Sequence, residues 1–328
     1  MDKKRCFIME INWKSFKYLP FCCGLLSASL SAELIYPDFM LSMTRSGEDF
    51  RKFEEYFIEN QQHNECYKTQ NLEIYRTCYT RNILQSKQST DEYRIPRIIH
   101  QIWLGSPVPY KYFNWMQTWA NMRGWEYKLW TEEDLSDFLL YNQDLYDDSS
   151  NFGEKSDVLR LELLLHYGGV YVDIDFECVN SSVFEELHRH FDFYAGFEPI
   201  CHGTINGTYK ICNAIFAACP HHPIIKNLII GMKANWKNHQ GQTAVQKSGP
   251  DYFSRIILDY EKGHLSSPEV KANNAQYRNM YLPCTFLYPF SEPDIRGMQS
   301  HEDLLSRISP ETAAIHYWSG SWIFPGGR

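Results

Sequence analysis

The chain has 328 residues, 44% of them hydrophobic and 22% charged, a globular composition that excludes a disordered or fibrous protein. Its 32 basic and 40 acidic residues leave a net charge of −8, which argues against a nucleic-acid binder or a protein held on an anionic membrane by charge. Aromatics reach 16%, nine of them Trp, and point to a thick core or a cleft lined with flat rings. Ten Cys without CxxC or Cys/His zinc spacing exclude the usual structural zinc module.

The N-terminus carries Lys3, Lys4, Arg5, Lys14 and Lys17, and residues 18–32 then run without a charge. A basic head, a short apolar middle around Leu25-Leu26 and a small-residue end at Ser29-Leu30-Ser31-Ala32 describe a secretory signal. The run is shorter than the roughly 20 apolar residues of a membrane span. The expectation is an exported or secretory-pathway protein, by bacterial effector-like delivery or in a Golgi lumen; the alternative is a cytoplasmic protein with an amphipathic extension. Removing Cys6, Cys22 and Cys23 with the leader leaves seven of the ten Cys. Cys201 and Cys212 flank Asn206-Gly207, a hairpin signature, as either a cross-strand disulfide or two buried thiols.

Residues 48–62 place Phe50, Phe53, Tyr56 and Phe57 at helical spacing, and residues 72–85 read as a second helix. The polar stretch 85–92 reads as a linker. Residues 1–32 are therefore expected to target the chain. Residues 33–92 would form a helical appendage contacting a membrane or partner, and residues 93–328 the main domain.

From Ile95 strands and helices alternate. Residues 98–104 and 125–130 read as strands, 110–121 as a helix, and Thr131 with Asp134 as a helix cap. Later strands are expected at 193–197, 214–218, 280–287 and 313–318, with helices at 223–236 and 250–260. Such alternation predicts an α/β fold with a mostly parallel sheet, whose ligands sit at the carboxyl ends of the strands.

The chemistry concentrates in residues 156–177. Ser156 suits an N-cap and Gly168 a stop, so a helix is expected over 157–167, with Asp157 and Arg160 on one face. Gly168-Gly169 turns the chain into a strand on which Tyr171, Asp173 and Asp175 share a side. Two carboxylates facing one space repel unless a cation lies beside them, and their hard oxygens suit Mg²⁺ or Mn²⁺ shared with substrate phosphates.

Three segments in order carry a family resemblance: Ile95-Pro-Arg-Ile-Ile-His-Gln-Ile-Trp-Leu-Gly105, Ser156-Asp157-x-x-Arg160, and Gly168-Gly169-Val-Tyr171-x-Asp173-x-Asp175. Together they resemble the DXD sugar-binding glycosyltransferases of family 32, related to yeast initiating α-1,6-mannosyltransferase, α-1,4-galactosyltransferase and the clostridial glucosylating toxins. The likeness spans about residues 95–325. It implies a GT-A-type, Rossmann-like α/β fold with helices flanking a mostly parallel sheet. It also implies a retaining hexosyl transfer from a nucleotide-diphosphate sugar, UDP- or GDP-linked, to a glycan, glycolipid or protein hydroxyl, with Mn²⁺ or Mg²⁺ as cofactor. By the same resemblance Trp103 stacks on the donor base, and Asp157 and Arg160 hold sugar hydroxyls. Tyr171 lies beside the donor, Asp173 contacts ribose, sugar or metal, and Asp175 is a direct metal ligand. The closing run Ile315-His316-Tyr-Trp318-Ser-Gly-Ser321-Trp322 implies His316 as a metal ligand and Ser321 and Trp322 on the pyrophosphate. Asn213 and Ser248-Gly249-Pro250 fall where the family places active-site loops.

Each residue also has a plainer reading: Trp103 as core packing, Arg160 as a surface charge paired with Asp157, and His316 as a hydrogen-bonded core histidine. Two other functions compete. A haloacid-dehalogenase-type phosphatase also follows a hydrophobic strand with DxD, but has Thr or Val where Glu177 stands. A non-catalytic carbohydrate-binding protein is the third class.

Overall fold

Six strands build the central sheet in the order β2-β1-β3-β6-β5-β7. They are β1 (Ile98–Ile102), β2 (Glu126–Trp130), β3 (Gly169–Val172), β5 (Phe193–Phe197), β6 (Ile211–Ala218) and β7 (Asn279–Leu282). Only β6 runs against its neighbours, so the sheet is mostly parallel, as expected. These observations come from a computed structural model that describes residues 36–43, 65–86, 92–135, 138–200, 202, 209–266 and 277–320. The leader, the 48–62 helix, the centre of the 85–92 linker, Cys201, the Asn206-Gly207 turn, Ser321 and Trp322 lie outside the described residues. Cys212 is a free, buried thiol.

The second sheet positions the site. It pairs β4 (Phe176–Cys178) with β8 (Ala314–His316) antiparallel, setting Phe176 opposite His316. The strand entered at Gly169 therefore stops at Val172, and the chain turns through Asp173-Ile174-Asp175 to join a different sheet. A single pleated strand through Asp175 was the expectation. The turn occurs because the Asp173 amide donates to Ala214 of β6, whereas Phe176 onward pairs with β8.

Among the described residues six longer helices flank the sheets: α1 (Glu65–Ser86), α2 (Phe113–Ala120), α3 (Phe152–Tyr167), α4 (Ser181–His190), α5 (Pro223–Asn238) and α6 (Pro250–Ser266). Helix α3 begins earlier than expected. Its N-cap is Asn151, whose side chain accepts from the Gly153 and Glu154 amides, so Ser156 lies inside the helix. The expected 280–287 strand ends at Leu282, and a short helix, Cys284–Leu287, follows Pro283. Residues 110–112 form a 3₁₀ turn before α2.

Gly168 and Gly169 do need to be glycine. Both have positive φ, +62° and +99°, and a Cβ on Gly169 would stand 2.4 Å from the Ile98 carbonyl oxygen. This close approach lets β3 dock beside β1. Along α1, Tyr75 packs edge-on against Phe197 and Tyr281, and the Asn82 amide donates to the Asn279 carbonyl of β7. Helix α1 thus covers the edge strand that would otherwise be exposed.

Two buried histidines are locked in neutral tautomers. His100 Nε2 donates to the Gly168 carbonyl (2.8 Å) and Nδ1 accepts from Trp130 (3.1 Å). His188 Nδ1 faces the Ile95 and Pro96 carbonyls and Nε2 accepts from the Tyr194 hydroxyl (3.0 Å). Burial pushes His188 down from 6.5 to about 3. As pH falls below 6.5 the unfolded chain takes up a proton that the native His188 refuses, so stability is lost through that window. His188→Gln keeps a donor and an acceptor without the titration. Its stability should fall less than the wild type's between pH 6.5 and 4, by on the order of 3 kcal/mol, in paired denaturant titrations.

Candidate active site

Helix α3 supplies the first pair. Asp157 and Arg160 are 6% and 5% exposed, so neither is the solvated surface charge that its type would suggest. Arg160 Nη2 lies 3.2 Å from Asp157 Oδ1 and 3.6 Å from Asp173 Oδ1. Its Nη1 donates to the Asn213 carbonyl (2.6 Å) and its Nε to that of Ser156 (3.1 Å). The guanidinium also lies over the Tyr171 ring, 4.3 Å from its centroid. Asp157 is held on both oxygens, accepting from Asn213 Nδ2 (2.8 Å) and Ser248 Oγ (2.7 Å).

Burial pushes Asp157 up to about 6, against the pull of Arg160 and its two donors. Burial also raises Asp173 despite Arg160. Arg160 itself is held above its usual range because Tyr171, Asp173 and Asp157 outweigh its own desolvation.

The turn between the sheets supplies the second group. Asp173 accepts from the Tyr171 hydroxyl (2.5 Å) through the same Oδ1 that faces Arg160. Asp175 is gripped through Oδ2 by the amide (2.8 Å) and hydroxyl (2.7 Å) of Ser319. Its Oδ1 lies 3.2 Å from His316 Nε2. Desolvation would raise Asp175, but His316 and Ser319 outweigh it and bring the carboxyl down to about 2.

Ligand atoms of Asp173, Asp175 and His316 all lie within 4.8 Å of one another. The His316 ring stacks flat on Phe176 (4.3 Å, 4°), as the β4–β8 register dictates. Its Nδ1 is buried with no hydrogen-bond partner among the described residues. Buried polar atoms are nearly always paired, so the orphan is an exception; the ring nitrogen that faces Asp175 is the other one, Nε2. Two carboxylates and an imidazole fit a divalent cation, and the mixed donor set suits Mn²⁺ better than all-oxygen Mg²⁺.

Trp103 leaves the end of β1 half-buried, with its ring 5.5 Å from that of Tyr112 and its Nε1 3.3 Å from Ser106 Oγ. Tyr112 in turn reaches Ser319 Oγ (3.3 Å), which links Trp103 to the carboxylate cluster. The aromatic shelf and the acidic turn are thus joined through Ser319.

Residues 108–193 match the family described as the glycosyltransferase sugar-binding region containing DXD motif. That segment carries the DXD sugar-binding region of glycosyltransferases. It is 29% identical over 179 residues to inositol phosphoceramide mannosyltransferase 1 of Schizosaccharomyces pombe, covering 51% of this chain and 52% of that protein. A mannosyl phosphorylinositol ceramide synthase of Saccharomyces cerevisiae is 25% identical over 175 residues, 51% of this chain and 44% of that one. Subversion of eukaryotic traffic protein A of Legionella pneumophila is 29% identical over 178 residues, 45% of this chain and 26% of the other. The chain thus spans about half the length of the yeast relatives or less. Among solved structures, the PaToxG glycosyltransferase overlaps 64% of this chain and 83% of that one, with a TM-score of 0.42 and 17% identity.

In this chain, Asp157, Arg160, Tyr171, Asp173 and Asn213 meet in one bonded cluster, and Asp175 and His316 adjoin it through Asp173. Ser248, from the expected Ser248-Gly249-Pro250 loop, reaches Asp157, whereas no sequence pattern points to Ser319. Ser319 stands 144 positions from the carboxylate it grips, a separation that no local pattern reveals.

Proposed function

We propose that the chain transfers a hexose from a nucleotide-diphosphate sugar to an acceptor hydroxyl, with retention of configuration and dependence on Mn²⁺ or Mg²⁺. The observation that carries this reading is the meeting of Asp173, Asp175 and His316 within 4.8 Å, directly against the buried Asp157–Arg160 pair.

In this reading Asp175, His316 and Asp173 hold the cation, which when bound neutralises the charge that develops on the departing diphosphate. Arg160 donates to sugar hydroxyls, and Asp157, ionised above about pH 6, accepts from them, with Asn213 bridging the two. Tyr171 keeps its proton and holds Asp173 in place. Ser321 and Trp322 are assigned to the pyrophosphate by the resemblance alone.

The names of the yeast relatives favour mannose as the sugar and an inositol-containing glycolipid as the acceptor. The basic, then apolar, character of residues 1–32 supports export or entry to a secretory lumen. Residues 33–92 are proposed to contact a membrane or partner. No helix of the described residues is long and apolar enough to cross a membrane.

The test is turnover of GDP-mannose, UDP-glucose, UDP-galactose and UDP-GlcNAc by the full chain. One donor should release nucleoside diphosphate, with activity lost in a chelator and restored by Mn²⁺. Neither binding nor turnover of any donor, with or without Mn²⁺, overturns the reading. Within it, Trp103→Ala should raise the dissociation constant for that donor by about one to two orders of magnitude, since ring stacking on a base is worth roughly 1–3 kcal/mol. Calorimetric titration checks this, and an unchanged constant returns Trp103 to packing.

A further inference from the structure

Trp318 touches two imidazoles. Its ring lies 4.1 Å from that of His316 and 4.5 Å from that of His202. The indole is fixed by donation from Nε1 to the Phe290 carbonyl (2.9 Å), on a backbone with φ of +50°, a left-handed value that Trp seldom adopts. Strain of this kind persists where surrounding contacts over-determine it, and it clusters at functional sites.

Behind His202 stands a buried acid. Glu198, one residue past β5, is 9% exposed, and its Oε2 accepts from His202 Nδ1 at 3.3 Å. That bond places the proton on Nδ1 and leaves the lone pair on Nε2, which has no partner among the described residues. Tyr288 ties the pair to the carboxylate cluster. Its ring lies 5.8 Å from Trp318 and 5.7 Å from His316.

The contacts around Asp157, Arg160 and Asn213 do not involve Glu198, His202 or Trp318. An acceptor nitrogen on a side chain 21% exposed, beside an indole, is a fitting site for a ring that carries hydroxyls and presents C–H bonds to an aromatic face. We propose that His202, oriented by Glu198, and Trp318 bind the acceptor. Nε2 of His202 takes the hydrogen of a hydroxyl on a sugar or cyclitol ring that packs on Trp318, and Glu198 acts as a positioning residue. This assignment rests on the glycosyl-transfer reading above.

The test uses the full chain with Mn²⁺ and the donor that it turns over, offering myo-inositol and methyl α-mannoside as soluble acceptors. Glycosylated acceptor and free hexose are measured together. His202→Phe keeps a ring against Trp318 but removes the nitrogen. It should raise the acceptor KM by about tenfold and lower the ratio of transfer to hydrolysis by a similar factor, while the donor dissociation constant stays within about twofold. Glu198→Gln should move the same two quantities in the same direction. If that buried variant does not fold, the partly exposed His202 carries the test alone. An unchanged ratio, or a donor constant that rises as much as the acceptor KM, overturns the proposal. A wild type that frees hexose but glycosylates neither probe also overturns it and leaves the transferase reading standing. A wild type inert towards every donor overturns both.

Discussion

Asp175→Asn is expected to lower Mn²⁺-stimulated donor turnover by at least about 10³-fold while the chain stays folded. The asparagine keeps the side-chain volume and an oxygen for the Ser319 amide and hydroxyl, which now bond to Oδ2. It removes the charge and gives Oδ1 or its replacement an NH₂ character that no cation accepts. The cost to the fold is bounded by linkage. A carboxyl brought down from 3.8 to about 2 adds roughly 2 kcal/mol at neutral pH, present above pH 3.8 and lost as pH falls towards 2. A loss of that size leaves a domain of this length folded, so circular dichroism should match the wild type. Nucleoside diphosphate release with and without Mn²⁺ is the measurement. Full Mn²⁺-stimulated activity in a folded variant would falsify the metal assignment.

Arg160→Met should have the largest effect on stability. The guanidinium is the cation shared by two carboxylates, Asp157 and Asp173, in surroundings that already push both upward. Removing one partner of a buried charge group costs about 3–5 kcal/mol, because it leaves the other charges uncompensated. The Asn213 and Ser156 carbonyls lose their donors as well. At roughly 2–4 °C per kcal/mol for a large domain, the unfolding midpoint at pH 7.5 should drop by about 10 °C. The deficit should narrow as pH falls. Carboxyls whose native pKa is raised favour the folded state below that pKa, so protonating Asp157 and Asp173 relieves the repulsion that Arg160 had masked. Thermal scans of both proteins at pH 7.5 and 5 test this, and a midpoint difference that is small or independent of pH would show that Arg160 is not their shared counter-ion.

The parts of this site legible in the sequence were those encoded over short distances. Asp157 and Arg160 are three apart on a helix, Tyr171 and Asp173 two apart on a strand end, and the Gly168-Gly169 turn precedes them; the structure brings all four side chains into contact. Alternation also conveyed the mostly parallel sheet. What the pattern could not convey was that Asp175 belongs to a turn, because apolar Ile174 and Phe176 prolong the alternation while their backbone partners change from β6 to β8. Ser156 looked like a cap because a polar residue precedes an apolar run, but Asn151 five positions earlier satisfies the helix amides instead. Glu198 and His202 sit in an unremarkable acidic and basic context, and only the packing of Trp318 connects them to His316.

The pairing of β4 with β8 also bears on when the protein becomes competent. His316 is made long after Asp175, and at roughly 5–20 residues per second about 7–28 seconds of synthesis separate them. Through that interval the nascent chain holds its acidic pair without the imidazole, and Ser319 has not yet arrived to grip Asp175. The candidate cation site is thus complete only once β8 has paired with β4. A chain that stops short of β8 would keep the strands of its central sheet but lack His316 and Ser319 beside Asp175.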